Sequence, residues 1–230
     1  MTVALEIAVA SAAGARAALE NGADRVELSA ALETGGITPS QGLVEAVLET
    51  GGETHVLVRS RPGDFVYDAD ELALMRREAH AVVAAGAAGV VIGALTAGGA
   101  LDLDAIAAMA DAARAVRPDV AVTIHRAIDA SADPVREAGR LAASPLAPMR
   151  VLTSGGRPSA PEGAGVIAAM VAAAGGIQIM SGGGVSAATI PMLVGAGVSA
   201  VHLSAKRRQH DHWVTDGGLV AAARAALDGA

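Results

Sequence analysis

Short runs of β-branched and leucine residues alternate with longer alanine-rich stretches of helical spacing from one end of the chain to the other. The runs predict strands over 5–9, 25–29, 55–60, 90–95, 120–126, 150–154, 177–181 and 201–204. The stretches between them predict helices over 12–20, 41–49, 69–85, 103–116, 134–143, 163–174, 187–194 and 218–227. Strands that read as almost continuous apolar runs are covered on both faces, as in a parallel sheet. Glycine closes several helices, at Asn21-Gly22, Gly86 and Gly197, where a left-handed residue ends the last turn. Eight strand–helix repeats in 230 residues match the count and length of a closed (β/α)8 TIM barrel of the α/β class. The alternative, an open doubly wound sheet, is disfavoured because Val9 to Gly14 does not fit the G-x-G-x-x-G turn after a first strand. No linker, low-complexity tail or charge block divides the chain, so residues 1–230 are predicted to form one domain.

The window 81–101 carries no charged residue and has the length of a membrane span. Five glycines, at 86, 89, 93, 98 and 99, break it into a helix end, a strand and a loop. Hydrophobic residues make up 52% of the chain but aromatics only 1%, beside 28 glycines, so the core must be built from small aliphatic side chains. The low charged fraction, 18%, excludes disorder. With no cysteine, disulfides, thiolate catalysis and Cys-built metal sites are absent, and only His, Met and carboxylates remain as side-chain metal ligands. A net charge of −7 argues against nucleic acid or an anionic membrane as the main partner. The start of the chain lacks a basic segment leading into an apolar run, so no signal peptide is predicted and a cytoplasmic protein is expected.

Strand parity points to chemistry, because alternate residues of a barrel strand face the helices and the lumen. If β-branched and leucine positions face the helices, the lumen receives Glu6, Glu27 with Ser29, Arg59 with Arg61, Thr123 with His125, Ser154, Met180 with Gly182, and His202 with Ser204. Every strand but the fourth thus places a polar group or a bare glycine near its carboxyl end. Ionised groups in a closed lumen must be paired or bind a polar ligand. The set reads either as a self-satisfying plug or as an active site, which in this fold lies at the carboxyl end of the strands.

The other half of the chain offers glycine instead of charge. From Gly163 to Ala205 there is no Asp, Glu, Lys or Arg, but Thr153-Ser-Gly-Gly156 follows the sixth strand and Ser181-Gly-Gly-Gly-Val185 the seventh, ahead of a helix predicted from Ser186. Such loops are either anion cradles or plain steric turns. The residues on their own predict a small anionic ligand at the barrel mouth and general acid–base chemistry, such as an isomerase, lyase or hydrolase would use. In that reading Glu6 or Glu27 is acid or base, His125 a proton shuttle, and Arg59 and Arg61 electrostatic clamps. Phe65 and Tyr67 make the Arg59-to-Phe65 loop either a lid or a packed turn. The single lysine, Lys206, stands beside Arg207 and Arg208 and reads as a solvated basic rim. His210-Asp-His212 reads as a surface loop that is either a weak metal motif or simply solvated.

Several stretches resemble the CutC family of copper homeostasis proteins. They are Leu5-Glu-Ile7, Asn21-Gly-Ala-Asp-Arg-Val-Glu-Leu28, Gly35-Gly-Ile-Thr-Pro-Ser40, Arg59-Ser-Arg-Pro-Gly-Asp-Phe65, Thr123-Ile-His-Arg-Ala-Ile-Asp129, Arg150-Val-Leu-Thr-Ser-Gly155, Gly182-Gly-Gly-Val185 and Val201-His-Leu-Ser204. The resemblance implies a single-domain TIM barrel in the cytoplasm, a homodimer, and a part in copper tolerance or copper-ion binding, with no organic cofactor. Without cysteine, copper would fall to His125 and His202, joined by Met180 or Glu27. The candidate catalytic set is thus Glu6, Glu27, Arg59, Arg61, His125 and Asp129. The anion-binding set is Ser154, Gly155, Gly183, Gly184 and Ser204, and the metal set is His125 and His202.

Overall fold

The computed structural model describes residues 3–146, 148 and 150–230. Eight parallel strands close into a barrel in chain order. They are β1 (Ala4–Val9), β2 (Arg25–Leu28), β3 (Thr54–Leu57), β4 (Gly89–Ile92), β5 (Ala121–Ile124), β6 (Arg150–Thr153), β7 (Gln178–Gly182) and β8 (Ala200–Leu203). Helices α1 (Ala12–Glu20), α2 (Gln41–Leu48), α3 (Ala69–Ala84), α4 (Leu103–Arg114), α5 (Pro134–Ala142), α6 (Ala164–Ala173), α7 (Ile190–Gly195) and α8 (Gly217–Asp228) alternate with them. The uncharged window 81–101 divides into the end of α3, β4 and a turn, and no helix among the described residues is long and apolar enough to cross a membrane.

Side-chain caps set most helix starts. Ser11, Ser40, Asp68, Asp102, Asp133 and Asp216 each accept a backbone N–H from the first turn of their helix, and Asp68 with Glu71 completes a reciprocal box. Each cap is worth about 1 kcal/mol. The two helices without a side-chain cap, α6 and α7, lie in the uncharged half of the chain. There α7 begins at Ile190 rather than near 187. Ser186 instead opens a turn in which its N–H donates to Thr189 Oγ1 at 2.9 Å, so no helix starts directly from the glycine loop.

The main core lies between barrel and helices. Outward residues such as Ile7, Val26, Val56, Ile92, Ile124 and Val201 meet Ala15, Val44, Met75, Ile106, Leu141 and Ile167 on the helices, all fully buried. Alanine-rich helix faces let the helices sit close to the strands, so few aromatics are needed. A smaller apolar cluster, Leu152, Met180 and Ala200 with Ala4 against it, stands apart from that core. Parity with Arg59 and with Ser154 puts Leu57 and Leu152 on the lumen face, contrary to the expectation that leucines face the helices; both line the cavity described below.

After β8 the chain forms an antiparallel hairpin, β9 (Lys206–Gln209) and β10 (His212–Thr215), turned by His210 in a left-handed conformation. The segment expected to be a loop is therefore paired backbone. Its mostly polar side chains, exposed or half-buried, carry no alternation that would announce a strand.

Candidate functional site at the barrel mouth

Register decides which lumen residues meet. Parallel pairing sets Glu6 beside Arg25 on one side and beside His202 on the other. The Glu6 carboxylate, fully buried, accepts from Arg25 Nε through one oxygen and pairs with His202 Nδ1 at 2.8 Å through the other. Burial alone would raise its pKa, but the His202 hydrogen bond and the charge of Arg25 hold it well below the usual carboxylate range. Glu6 is thus an ionised anchor beneath the site. Arg25 shares the face of Glu27 by strand parity, so its place in the lumen is legible in the sequence. Its NH2 also donates to Met180 Sδ at 3.3 Å.

Above this anchor opens a cavity of about 490 Å³. Its polar walls include Glu27, Ser29, Arg59, His125, Arg126, His202, Ser204 and Lys206, and the Gly183–Ala187 stretch forms one side. Three of the buried atoms here, Glu27 Oε2, Ser29 Oγ and His125 Nε2, have no hydrogen-bond partner within the protein. Burial pushes the Glu27 carboxyl up to about 7, against the opposing charge of His202. Burial works the other way on His202, but the charges of Glu27 and Glu6 and the Glu6 hydrogen bond outweigh it and raise its pKa. Burial and the Arg59 charge push His125 down to about 3, so it is neutral at physiological pH.

The neutral tautomer of His125 follows from its contacts. Nδ1 accepts from the Ala127 N–H at 3.1 Å, so the ring proton sits on Nε2 and points away as a donor. The ring lies across β4, where a Cβ at Gly93 would come within 2.6 Å of it; likewise a Cβ at Gly89 would fall within 2.8 Å of the buried His55 ring. This explains why the fourth strand offers no polar group: its lumen glycines make space for imidazoles from β3 and from just beyond β5. Phe65 packs on His125, with ring centroids 5.1 Å apart, and under the Arg59 guanidinium at 4.8 Å. Arg59 is fixed further by the Gly36 and Gly63 carbonyls at 3.0 and 2.7 Å. The loop carrying Phe65 is therefore a packed wall of the cavity, and Leu95 N–H ties it down at Phe65 O, 2.8 Å away.

Other expected site residues lie elsewhere. Arg61 turns outward to Glu71 and to Asp64 Oδ1 at 3.0 Å and lies over Tyr67; it does not line the cavity. Asp129, Ser154 and Gly155 form a structural knot beside it. The backbone N–H groups of Ser154 and Gly156 donate to the Asp129 carboxylate at 2.8 and 3.0 Å, so the glycine loop after β6 is an anion cradle already filled by the protein's own carboxylate. Gly155, at φ +73°, packs against the Gly163 carbonyl, where a Cβ would approach to 2.6 Å. The same carboxylate and Ser154 Oγ hold Arg126, through Nε at 2.8 Å and NH2 at 2.7 Å. Arg126 lines the cavity and was not among the expected residues. It lies in a short 3-10 turn, Arg126–Ala130, where period-2 parity ceases to report direction.

Among the described residues, a group of three that could hold a metal is Glu6, Glu27 and His202, with ligand atoms within 4.8 Å of one another. The structure thus joins His202 to two carboxylates rather than to His125.

Comparison with known proteins matches the sequence to one family. The model of the CutC family matches residues 3–207. A protein of Xanthomonas campestris pv. campestris strain B100 named as a family protein CutC is 47% identical over 205 residues, which is 88% of this chain and 83% of that protein. A second, from Sinorhizobium medicae, is 39% identical across 99% of this chain and 92% of its own length. Among solved structures, a Streptococcus agalactiae protein that carries the CutC copper homeostasis name superimposes with a TM-score of 0.77 at 28% identity, covering 89% of this chain and 99% of that one. The KGPDC structure from Streptococcus mutans, at 14% identity and a TM-score of 0.68, shares the barrel fold alone. With a family model spanning most of the barrel and relatives approaching half identity, this chain belongs to the CutC family.

Proposed function

We propose that the barrel mouth binds a small anionic metabolite and performs general acid–base chemistry on it, as an isomerase, lyase or hydrolase would. One observation carries this reading: in a protein of net charge −7, the cavity wall holds Arg59, Arg126 and Lys206 against one carboxylate, Glu27, and the buried Glu27 Oε2 and His125 Nε2 lack partners within the protein. Such a wall attracts an oxyanion and repels a free cation. Glu27, titrating near neutrality, gives or takes the proton. The Nε2–H of His125 donates to oxygen that gains negative charge, and Arg59 neutralises it. Burial disfavours the charged form of His202, but the Glu27 and Glu6 charges and the Glu6 hydrogen bond, which also orients the ring, raise its pKa and so favour that form beside Glu27. The surroundings shift the two histidines in opposite directions, a pattern that separates acid–base roles.

A thermal-shift screen of phosphorylated and carboxylated metabolites tests the reading. Stabilisation by an anion that is lost in Arg59→Ala, and turnover abolished by Glu27→Gln, are expected. A panel that produces no shift removes the proposal.

A second reading, copper handling, rests on the name of the Streptococcus agalactiae relative and on the Glu6, Glu27 and His202 group. Its donors are two carboxylates and an imidazole, a set that suits Cu(II) or Zn(II) and not Cu(I), which prefers thiolate and thioether. Both Glu6 oxygens are engaged, Arg25 lies against the group, and Met180 Sδ accepts from Arg25. These residues do not fit Cu(I). Stoichiometric Cu(II) binding in a calorimetric titration, lost in His202→Ala, would establish this reading over the first. Following the family resemblance, we take the protein to act in the cytoplasm as a homodimer; sedimentation of the purified chain checks the dimer.

A further inference from the structure

We propose that the outer half of the cavity is a phosphate subsite, in which Arg126 clamps the phosphate of a phosphorylated metabolite against the Gly183–Gly184 loop while the rest of the ligand reaches down to Glu27 and His125. The proposal rests on the anion-site reading above and adds the class of anion and the direction in which the ligand lies.

Depth polarises the cavity. Glu27 and His125 are 6% and 5% exposed at its floor, whereas the Arg126 side chain is 42% exposed at its rim. The Arg126 guanidinium thus stands at the rim, and the atoms without a partner within the protein, Glu27 Oε2 and His125 Nε2, lie innermost. A ligand with a charged end and a reactive end can satisfy both only in one orientation.

Arg126 is built to receive an oxyanion. Asp129 takes its Nε and Ser154 Oγ takes one terminal amine, NH2. The other, NH1, makes no hydrogen bond within the protein among the described residues and lies against Gly183, where a Cβ would stand 3.0 Å away. A side chain there would displace the guanidinium, so glycine leaves the space that Arg126 occupies. Gly183 and Gly184 both hold left-handed conformations, φ +94° and +70°, and the Gly183 carbonyl is committed to the Ala160 N–H at 2.7 Å. Lys206 Nζ, over the Trp213 ring at 4.9 Å, also has no carboxylate partner among the described residues. Arg126, Lys206 and the Ser204 hydroxyl all line the cavity, from after β5 and after β8, and together call for several acceptor oxygens spread in three dimensions. A phosphate dianion supplies them, and a planar carboxylate, satisfied by one arginine fork, leaves the second cation unmatched.

Asp129 and Ser154 are accordingly positioning residues. They fill the cradle after β6 and aim Arg126 at the next loop; they do not touch the ligand themselves.

Calorimetric titration of the purified protein with inorganic phosphate, and separately with malonate, at low ionic strength tests this. Wild type is expected to bind phosphate, and Arg126→Ala to weaken it by about tenfold or more, with partial recovery in Arg126→Lys. Asp129→Asn, checked for folding by circular dichroism, is expected to weaken phosphate severalfold when Arg126 is present and to add nothing once Arg126 is alanine. Arg61→Ala removes the same charge outside the cavity and is expected to change nothing. Phosphate binding equal in wild type and Arg126→Ala overturns the subsite. So does malonate binding that depends on Arg59 and His125 without any phosphate binding, an outcome that leaves the anion-site reading standing. If neither anion binds, both fall together.

Discussion

Replacing Glu27 by glutamine removes one titration from the barrel interior at almost constant shape, and it is expected to stabilise the fold in alkaline solution but not in acid. Burial raises this carboxyl from 4.5 to about 7. Between those values the folded protein keeps a proton that the unfolded chain has already released, so stability falls as pH rises through the interval. The contribution is intact below the unfolded value and lost above the folded one, where the native state must hold a buried carboxylate. Over that span, at about 1.4 kcal/mol per unit, the loss is roughly 3 kcal/mol as an upper bound. Glutamine does not ionise and avoids it. In urea denaturation, Glu27→Gln is expected to gain about 2 kcal/mol more, relative to wild type, at about pH 8.5 than at about pH 5. A difference that does not change with pH, or a variant weaker at high pH, would mean that Glu27 is a stabilising ion-pair partner and would refute both its raised pKa and its acid–base role.

Glu6→Ala strands Arg25 and His202 without their shared counter-ion and is expected to cost about 3–5 kcal/mol in the same assay, whereas Arg61→Ala, a surface change, should leave the unfolding midpoint nearly unmoved. Nitrogen shifts of labelled histidines are expected to show His125 neutral down to about 3 and His202 titrating above an ordinary histidine; titration of His125 near neutrality would remove the donor role given to its Nε2. Gly163→Ala places a Cβ 1.9 Å from the Ser154 carbonyl and is expected to abolish folding, with the yield of soluble protein as the readout. By contrast Gly165→Ala, in α6 with nothing within 4 Å, should stabilise by about 0.5–1 kcal/mol.

Much of the site was visible along the chain. Period-2 parity reports which face a strand residue takes, and it brought out Glu6, Glu27, Arg59, His125, His202 and Ser204. It reports neither depth nor neighbour. Glu6 and Glu27 share a parity and a residue type, yet pairing with Arg25 and His202 makes the first a permanently charged anchor, while the second, left without a partner for Oε2, titrates near neutrality. The two glycine loops looked alike in sequence. One is filled by Asp129, which stands 25 residues before it in the chain; the other borders the cavity. The direction of Arg126 is not legible in the sequence because it follows a strand in a 3-10 turn, where alternation no longer applies.

The sequence by itself determined the eight-fold alternation, the closed barrel with its Ala-faced helices, the family, and the exclusion of cysteine chemistry. These depend on local periodicity, helix caps and composition, which are properties of neighbouring residues. Only the tertiary structure decided which charges neutralise each other, which glycine loop borders the cavity, and which arginines line it. The physical reason is that each of these follows from barrel register and burial, and both arise between strands that are distant in the chain and meet only when the sheet closes.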